Sequence, residues 1–128
     1  MVRRSEAIFL LKRARAFLEN AEYLYNRGLY DLAAFNLEQA VQLLLKYKLL
    51  VVAGSYPRTH SIRRLFRALI EATRDSDLES FYLENINIIG DLESAYITAR
   101  YLPVEFEKKE VENMLVFAKK VFEKLGAE

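Results

Sequence analysis

One group of residues that could do chemistry lies in and after the loop "GSYPRTH". This stretch brings Arg58, His60 and Arg63 close together in the chain, and Arg64 and Arg67 follow within the next turn of a predicted helix. A loop arginine, a helix start and several arginines within two turns could together hold a phosphate group. The alternative is a solvated helix face on which the arginine stems cover apolar surface.

A second group lies in "YITARYLP", where a helical pattern ends before a proline. Tyr96 and Arg100 are four residues apart and therefore share one helix face, and Tyr101 follows directly. A guanidinium beside an aromatic ring can present its planar fork to a phosphate or a carboxylate. The alternative is a cation that stabilises the carboxyl end of its helix while the tyrosines pack in the core.

Other kinds of active site find little support in the residue types. Cysteine is absent, which excludes disulfides, thiolate nucleophiles and cysteine-ligated metals. His60 is the single histidine and has no second ligand at Glu-x-x-His or His-x-x-x-His spacing, so no metal site is expected. Four isolated glycines form no phosphate-binding loop, and a serine triad would need His60 as base with partners from unrelated helices.

The charges are unevenly distributed along the chain. Residues 1–74 hold 13 Lys and Arg against 6 Asp and Glu, whereas residues 75–128 hold 6 against 12, although the net charge is only +1. Two interpretations fit this asymmetry: the first half binds an anionic ligand or partner, or the two halves face each other within or between subunits.

Helices are the elements that must position these groups. The chain has 128 residues, 52% of them hydrophobic, and only 4 glycines and 2 prolines, too few turn residues for an all-β protein. Apolar residues at helical spacing predict five helices. These run from about Ser5 to Arg27, from Tyr30 to Ala53, from a cap at Thr59 or Ser61 to about Arg74, from Asp77 to Pro103 and from Glu105 to Leu125. Short connections then predict an all-α, up-and-down antiparallel bundle that forms a single domain over residues 1–128.

Several residues predict where these helices start, end or bend. Gly28 and Gly54 are expected to end the first two helices. Ser76 with Glu79 has the spacing of a capping box that starts the fourth helix, and Gly90 is the expected weak point in its middle.

The apolar segments predict a chain without a membrane span. The longest apolar run, "VQLLLKYKLLVVAG", is interrupted by Lys46 and Lys48, and the N-terminus lacks the features of a signal peptide. We therefore expect a cytoplasmic protein. The wide apolar faces of the second, fourth and fifth helices exceed what a small bundle can cover, which predicts a homodimer.

The order of several motifs resembles the HEPN domain family (higher eukaryote and prokaryote nucleotide-binding domain). The motifs are "YDLAAFNLEQA", then Lys46, a loop leading to "HSI", and "YITARYLP", and the resemblance extends from about Ala7 to Phe122. Gln42 departs from the pattern, because the family usually has a glutamate there. The resemblance implies a helical bundle and a homodimer that binds a nucleotide such as ATP and has no other cofactor.

Catalytic HEPN ribonucleases are similar to one another in an arginine followed, after four to six residues, by a histidine; a dimer uses two such pairs to cleave RNA without metal. Here Arg58 precedes His60 by only two positions, and no histidine follows Arg100. Without this general acid/base, most of that chemistry should be lost. The resemblance therefore implies a non-catalytic member, and we expect no enzymatic activity of its own.

Such members are implied to pair with a separate small nucleotidyltransferase in a two-component, toxin-antitoxin-like module. In that interpretation Arg100 and Tyr101, with Tyr96, face the nucleotide or the partner, and Arg58, His60 and Arg63 contact phosphate. Three alternatives remain open: a metal-independent ribonuclease with a degenerate site, a protein with general RNA affinity, and a purely structural oligomerisation subunit.

Overall fold

The computed structural model describes residues 2–101 and 105–128, except for the side chains of residues 2, 3, 99 and 100. Within these ranges the chain forms six α-helices, which confirms the all-α prediction with one helix more than expected. They are α1 (Val2–Asn26), α2 (Tyr30–Ala53), α3 (Ile62–Thr73), α4 (Ser76–Glu84), α5 (Ile86–Tyr101) and α6 (Lys108–Lys124). The first and last predicted helices were placed a few residues away from these bounds.

Helix α2 is the centre of the bundle, as its apolar sequence predicts. It packs against α1, α3, α5 and α6, and its side chains Leu37, Leu44 and Leu45 are completely buried. Gly28 and Gly54 follow α1 and α2 with φ angles of 76° and 79°, a left-handed conformation that favours glycine and lets the chain leave each helix. A rigid central helix therefore provides the frame for any residue that it carries.

The predicted fourth helix is in fact two helices, and the break is at Asn85 rather than at Gly90. The backbone N–H of Asn85 donates to the carbonyl of Tyr82 at 3.2 Å, and its side-chain amide donates to the carbonyl of Phe81 at 2.8 Å. Because Asn85 satisfies these carbonyls itself, α4 can end there without a glycine or proline. Gly90 lies inside α5.

The start of α4 also differs from the prediction. Asp75 is the N-cap, and its Oδ1 accepts hydrogen bonds from the backbone N–H groups of Asp77 at 2.9 Å and Leu78 at 3.1 Å. Ser76 is already the first helical residue, so the predicted capping box of Ser76 and Glu79 is wrong, and the N-cap lies one position earlier than expected. A carboxylate cap at Asp75 also interacts favourably with the helix dipole.

The loop before α3 is fixed by two hydroxyl groups. Ser61 is the N-cap of α3, and its Oγ accepts from the N–H of Arg64 at 3.2 Å. The Oγ1 of Thr59 accepts from the N–H of Ser61 at 3.0 Å. These contacts hold the backbone on both sides of His60.

Among the helices in the described ranges, none is both long enough and apolar enough to cross a lipid bilayer.

Candidate functional site

The two groups predicted from the sequence meet in one place. His60, from the loop before α3, stacks on Tyr96 of α5 with 4.9 Å between ring centroids and 21° between ring planes. Tyr96 also contacts the ring of Phe35 on α2, with centroids 6.4 Å apart. His60 is exposed whereas Tyr96 and Phe35 are half-buried, so the imidazole is the solvent-facing member of this aromatic stack.

A row of polar side chains on α2 leads from the core to His60. Glu38, Gln42 and Lys46 are four residues apart and therefore lie along one helix face. The amide Nε2 of Gln42 donates to Glu38 Oε2 at 2.8 Å, and Lys46 Nζ donates to Gln42 Oε1 at 3.0 Å. His60 Nδ1 lies 3.4 Å from the same Gln42 Oε1. We call these four residues the polar network.

The network has an acid in the interior of the bundle. Glu38 is 0% exposed and Gln42 is 3% exposed, and a second amide, that of Gln39, donates to Glu38 Oε1 at 2.7 Å. Burial raises the pKa of Glu38 from its ordinary 4.5 to about 7, although both hydrogen bonds and the charge of Lys46 lower it and the charge of Glu93 raises it further. Burial also lowers the pKa of Lys46, against the attraction of Glu38.

Arg63, in the first turn of α3, contacts helix α5. Its backbone N–H donates to Glu93 Oε1 at 3.2 Å, and its guanidinium Nε lies 3.8 Å from the same oxygen. Gly90 makes room for it, because a Cβ atom at that position would lie 2.8 Å from Arg63 Nη2. The glycine predicted to weaken α5 therefore admits the arginine side chain.

Arg58 and Arg67, two further arginines of the first predicted group, have different aromatic neighbours. The charge of Arg58 acts on Tyr56, lowering a pKa that burial raises, and Lys46 Nζ lies 5.6 Å from the centre of the same ring. Tyr56 thus experiences the charge of Arg58 and contacts the ammonium group of Lys46. Arg67 instead lies over the ring of Tyr82, 5.2 Å from its centroid, toward α4.

The end of α5 carries the second predicted group. Tyr101 is its last residue and is 65% exposed. The side chain of Arg100 lies outside the described residues, so its assignment to the site stays a prediction. Of the six predicted site residues, His60 and Tyr96 are in direct contact. Arg63 contacts Glu93, which lies on the same helix as Tyr96, α5.

Glu38 is the member of the site that sequence reasoning missed. A signal for it was present, because Glu38, Gln42 and Lys46 place polar groups at one-turn intervals on a helix that is otherwise almost wholly apolar. A buried charge or amide must find a hydrogen-bonding partner, so such spacing on a central helix predicts a network.

The arrangement offers an exposed imidazole, exposed arginines at Arg58 and Arg63 on either side of it in the chain, and a buried acid that reaches it through Gln42. A stacked imidazole can receive a planar ligand, and Arg63 and Arg58 can hold anionic groups. In the described ranges no group of three or more histidine and carboxylate side chains is placed to hold a metal ion.

Comparison with known proteins places the chain in a family. No curated protein matches it. A protein-family model described as the HEPN domain matches residues 7–127, nearly the whole chain. That range contains all six helices apart from the first residues of α1, and both parts of the candidate site. The chain therefore belongs to the HEPN domain family.

Proposed function

We propose that this chain is the nucleotide-binding, non-catalytic subunit of a two-component nucleotidyltransferase module of the toxin-antitoxin kind. Membership of the HEPN domain family supports a function related to nucleotides or RNA. The observation that carries the proposal is the exposed ring of His60, stacked on Tyr96 of α5 at 4.9 Å, while Arg63, three residues later in the chain, contacts Glu93 of the same helix α5.

The aromatic stack suits a nucleobase. Stacking of a base on an aromatic side chain contributes about 1–3 kcal/mol and tolerates any base. Tyr96 supports the imidazole from beneath, which keeps the outer ring face of His60 in a fixed orientation. Because the ring is already ordered, binding a ligand costs less conformational entropy of the protein.

The arginines suit the phosphates of the same ligand. The side chain of Arg63 is 49% exposed, and its 3.8 Å separation from Glu93 is too long for a good hydrogen bond, so several of its donors remain for a ligand. Arg58 supplies a second charge from the preceding loop. Arg100 and Tyr101 belong to the proposal through their sequence motif, as groups that face the nucleotide or the transferase.

Assembly with a second copy and with a transferase is part of the proposal. Large apolar side chains are exposed at the end of the bundle where α1 begins and α2 ends, Ile8 by 47%, Phe9 by 54%, Val51 by 54% and Val52 by 43%. A homodimer that covers them should give a light-scattering mass of twice the 14.9 kDa of one chain. Phe9→Glu should lower that mass, and a monomeric wild-type protein would contradict this part of the proposal.

Calorimetric titration with ATP at low and moderate salt tests nucleotide binding. Arg63→Gln should weaken binding by about tenfold or more, because a charge-assisted hydrogen bond contributes about 1.5–3 kcal/mol. Arg64→Gln is the matched control, because it removes the same charge from an exposed position that directly follows Arg63 on the same helix. Equal losses in both variants would show an effect of net charge alone, and no heat with wild-type protein would contradict nucleotide binding.

A further inference from the structure

The orientation of the Gln42 side chain is decided by the partners on either side of it. An ammonium group has only donors, so the Gln42 atom 3.0 Å from Lys46 Nζ must be the oxygen, Oε1. The amide nitrogen then faces Glu38 Oε2 at 2.8 Å, where a carboxylate oxygen accepts its hydrogen. If the amide were reversed, its nitrogen would face the Lys46 ammonium group, which is also a donor, and its oxygen would face the Glu38 carboxylate, which is also an acceptor.

This orientation determines which nitrogen of His60 carries the proton. His60 Nδ1 lies 3.4 Å from Gln42 Oε1, and an oxygen that already accepts from Lys46 has a second lone pair for one more donor. A deprotonated Nδ1 would place two lone pairs against each other. The neutral ring therefore carries its hydrogen on Nδ1, and its Nε2 has a free lone pair.

The second ring nitrogen, Nε2, belongs to an exposed residue of the candidate site. His60 is exposed, and its Nε2 makes no hydrogen bond to any residue within 2–101 and 105–128 whose side chain is described. A pyridine-like nitrogen accepts hydrogen bonds and repels phosphate oxygens and carbonyl groups. Groups that donate hydrogen bonds are its complement.

We infer that the polar network holds His60 as the Nδ1–H tautomer, so that Nε2, whose lone pair lies in the ring plane, accepts a hydrogen bond from a ribose hydroxyl of the nucleotide stacked on that ring. The ligand contact rests on the proposed nucleotide-binding function; the tautomer does not. Glu38 and Gln42 are then positioning residues that act through His60. Phosphate is left to the arginines, and a ligand without a donor at this place binds less tightly.

Nitrogen-15 spectra of the imidazole in the ligand-free protein test the tautomer. At a pH where the ring is neutral, Nδ1 should give a pyrrole-like shift and Nε2 a pyridine-like shift. Gln42→Leu removes the acceptor and should move the equilibrium toward the Nε2–H tautomer that free histidine prefers. Gln42→Glu keeps an oxygen that accepts from both Lys46 and His60, while its other oxygen shares a proton with Glu38, and it should retain the Nδ1–H tautomer.

These variants separate orientation from folding. If Gln42→Leu unfolds the protein, the spectra of wild type and Gln42→Glu still decide the question. A wild-type ring with the Nε2–H tautomer, or one unaffected by Gln42→Leu in a folded protein, overturns the inference without touching nucleotide binding.

Ligand analogues test the donor. Affinities are measured for ATP, for 2′-deoxy-ATP and 3′-deoxy-ATP, which each lack one ribose hydroxyl, and for inosine triphosphate, which keeps both hydroxyls but lacks the exocyclic amino group of the base. One of the two deoxy analogues should bind about threefold to tenfold more weakly than ATP, the effect of one lost hydrogen bond, whereas inosine triphosphate should bind like ATP. His60→Phe keeps a stacking ring without Nε2 and should abolish that difference.

The two claims fail separately. Equal affinities of wild-type protein for all four nucleotides overturn the ligand contact at Nε2, while nucleotide binding stands. A difference that persists in His60→Phe also overturns it. No binding of any nucleotide refutes the proposed function, and with it the ligand contact, whereas the spectra continue to test the tautomer.

Discussion

Replacing Glu38 by glutamine should change how the stability of the protein depends on pH. Glu38 is completely buried, and its pKa in the folded protein is about 7 against an ordinary value of 4.5. The folded protein therefore binds a proton more tightly here than the unfolded chain does. Stability from this group is fully present below pH 4.5 and is lost as the pH rises to about 7.

The size of the effect follows from the two pKa values. Each unit of difference corresponds to about 1.36 kcal/mol, and between pH 5 and pH 8 the linkage amounts to about 2.5 kcal/mol. Glu38→Gln cannot titrate. The free energy of unfolding of wild type minus that of Glu38→Gln should therefore fall by about 2.5 kcal/mol from pH 5 to pH 8.

Urea unfolding of both proteins at several pH values measures this difference. The amide introduced by Glu38→Gln opposes the donor of Gln39, but that cost is the same at every pH and does not affect the slope. Glu84→Gln, which removes a carboxylate from an exposed position at the end of α4, is the control and should follow wild type. A difference between wild type and Glu38→Gln that is constant from pH 5 to pH 8 would refute the reasoning.

Three further predictions concern the site. Gly90→Ala should stabilise α5 by up to about 1 kcal/mol through helix propensity, which thermal unfolding measures. The same change should weaken ATP binding, measured by calorimetry, because the new methyl group displaces Arg63. Unchanged affinity would contradict the placement of Arg63. RNA incubated with the protein and EDTA should stay intact, since the arginine–histidine spacing of the ribonucleases is missing; cleavage lost in His60→Ala would instead favour the ribonuclease alternative. Arg100→Ala should weaken ATP binding and leave the circular dichroism spectrum unchanged, and full affinity would remove Arg100 from the site.

Much of the fold follows from local patterns in the sequence. The apolar spacing, Gly28 and Gly54 predicted the α1–α2 hairpin and the central place of α2, because these signals act within a few residues of one another. The division of the fourth predicted helix was missed. Asn85 ends α4 through hydrogen bonds of its own backbone and side chain, and an asparagine in an apolar pattern is a weak signal for such an end.

The site was predictable residue by residue but not as an arrangement. The sequence identified His60 and Tyr96 separately; it could not show that they stack, because that contact depends on how α3 and α5 pack against α2. Gly90 was interpreted through helix propensity, whereas its role depends on an arginine 27 residues earlier in the chain. Glu38 was missed because its burial is a tertiary property.

The most direct test of nucleotide binding at this site is a titration of the isotope-labelled protein with ATP, followed by amide chemical shifts. We predict that the largest shift changes fall on His60, Arg63 and Tyr96, and that residues of α6 such as Val116 change little. Absence of shift changes at millimolar ATP, or changes confined to α6 and its surroundings, would contradict the account.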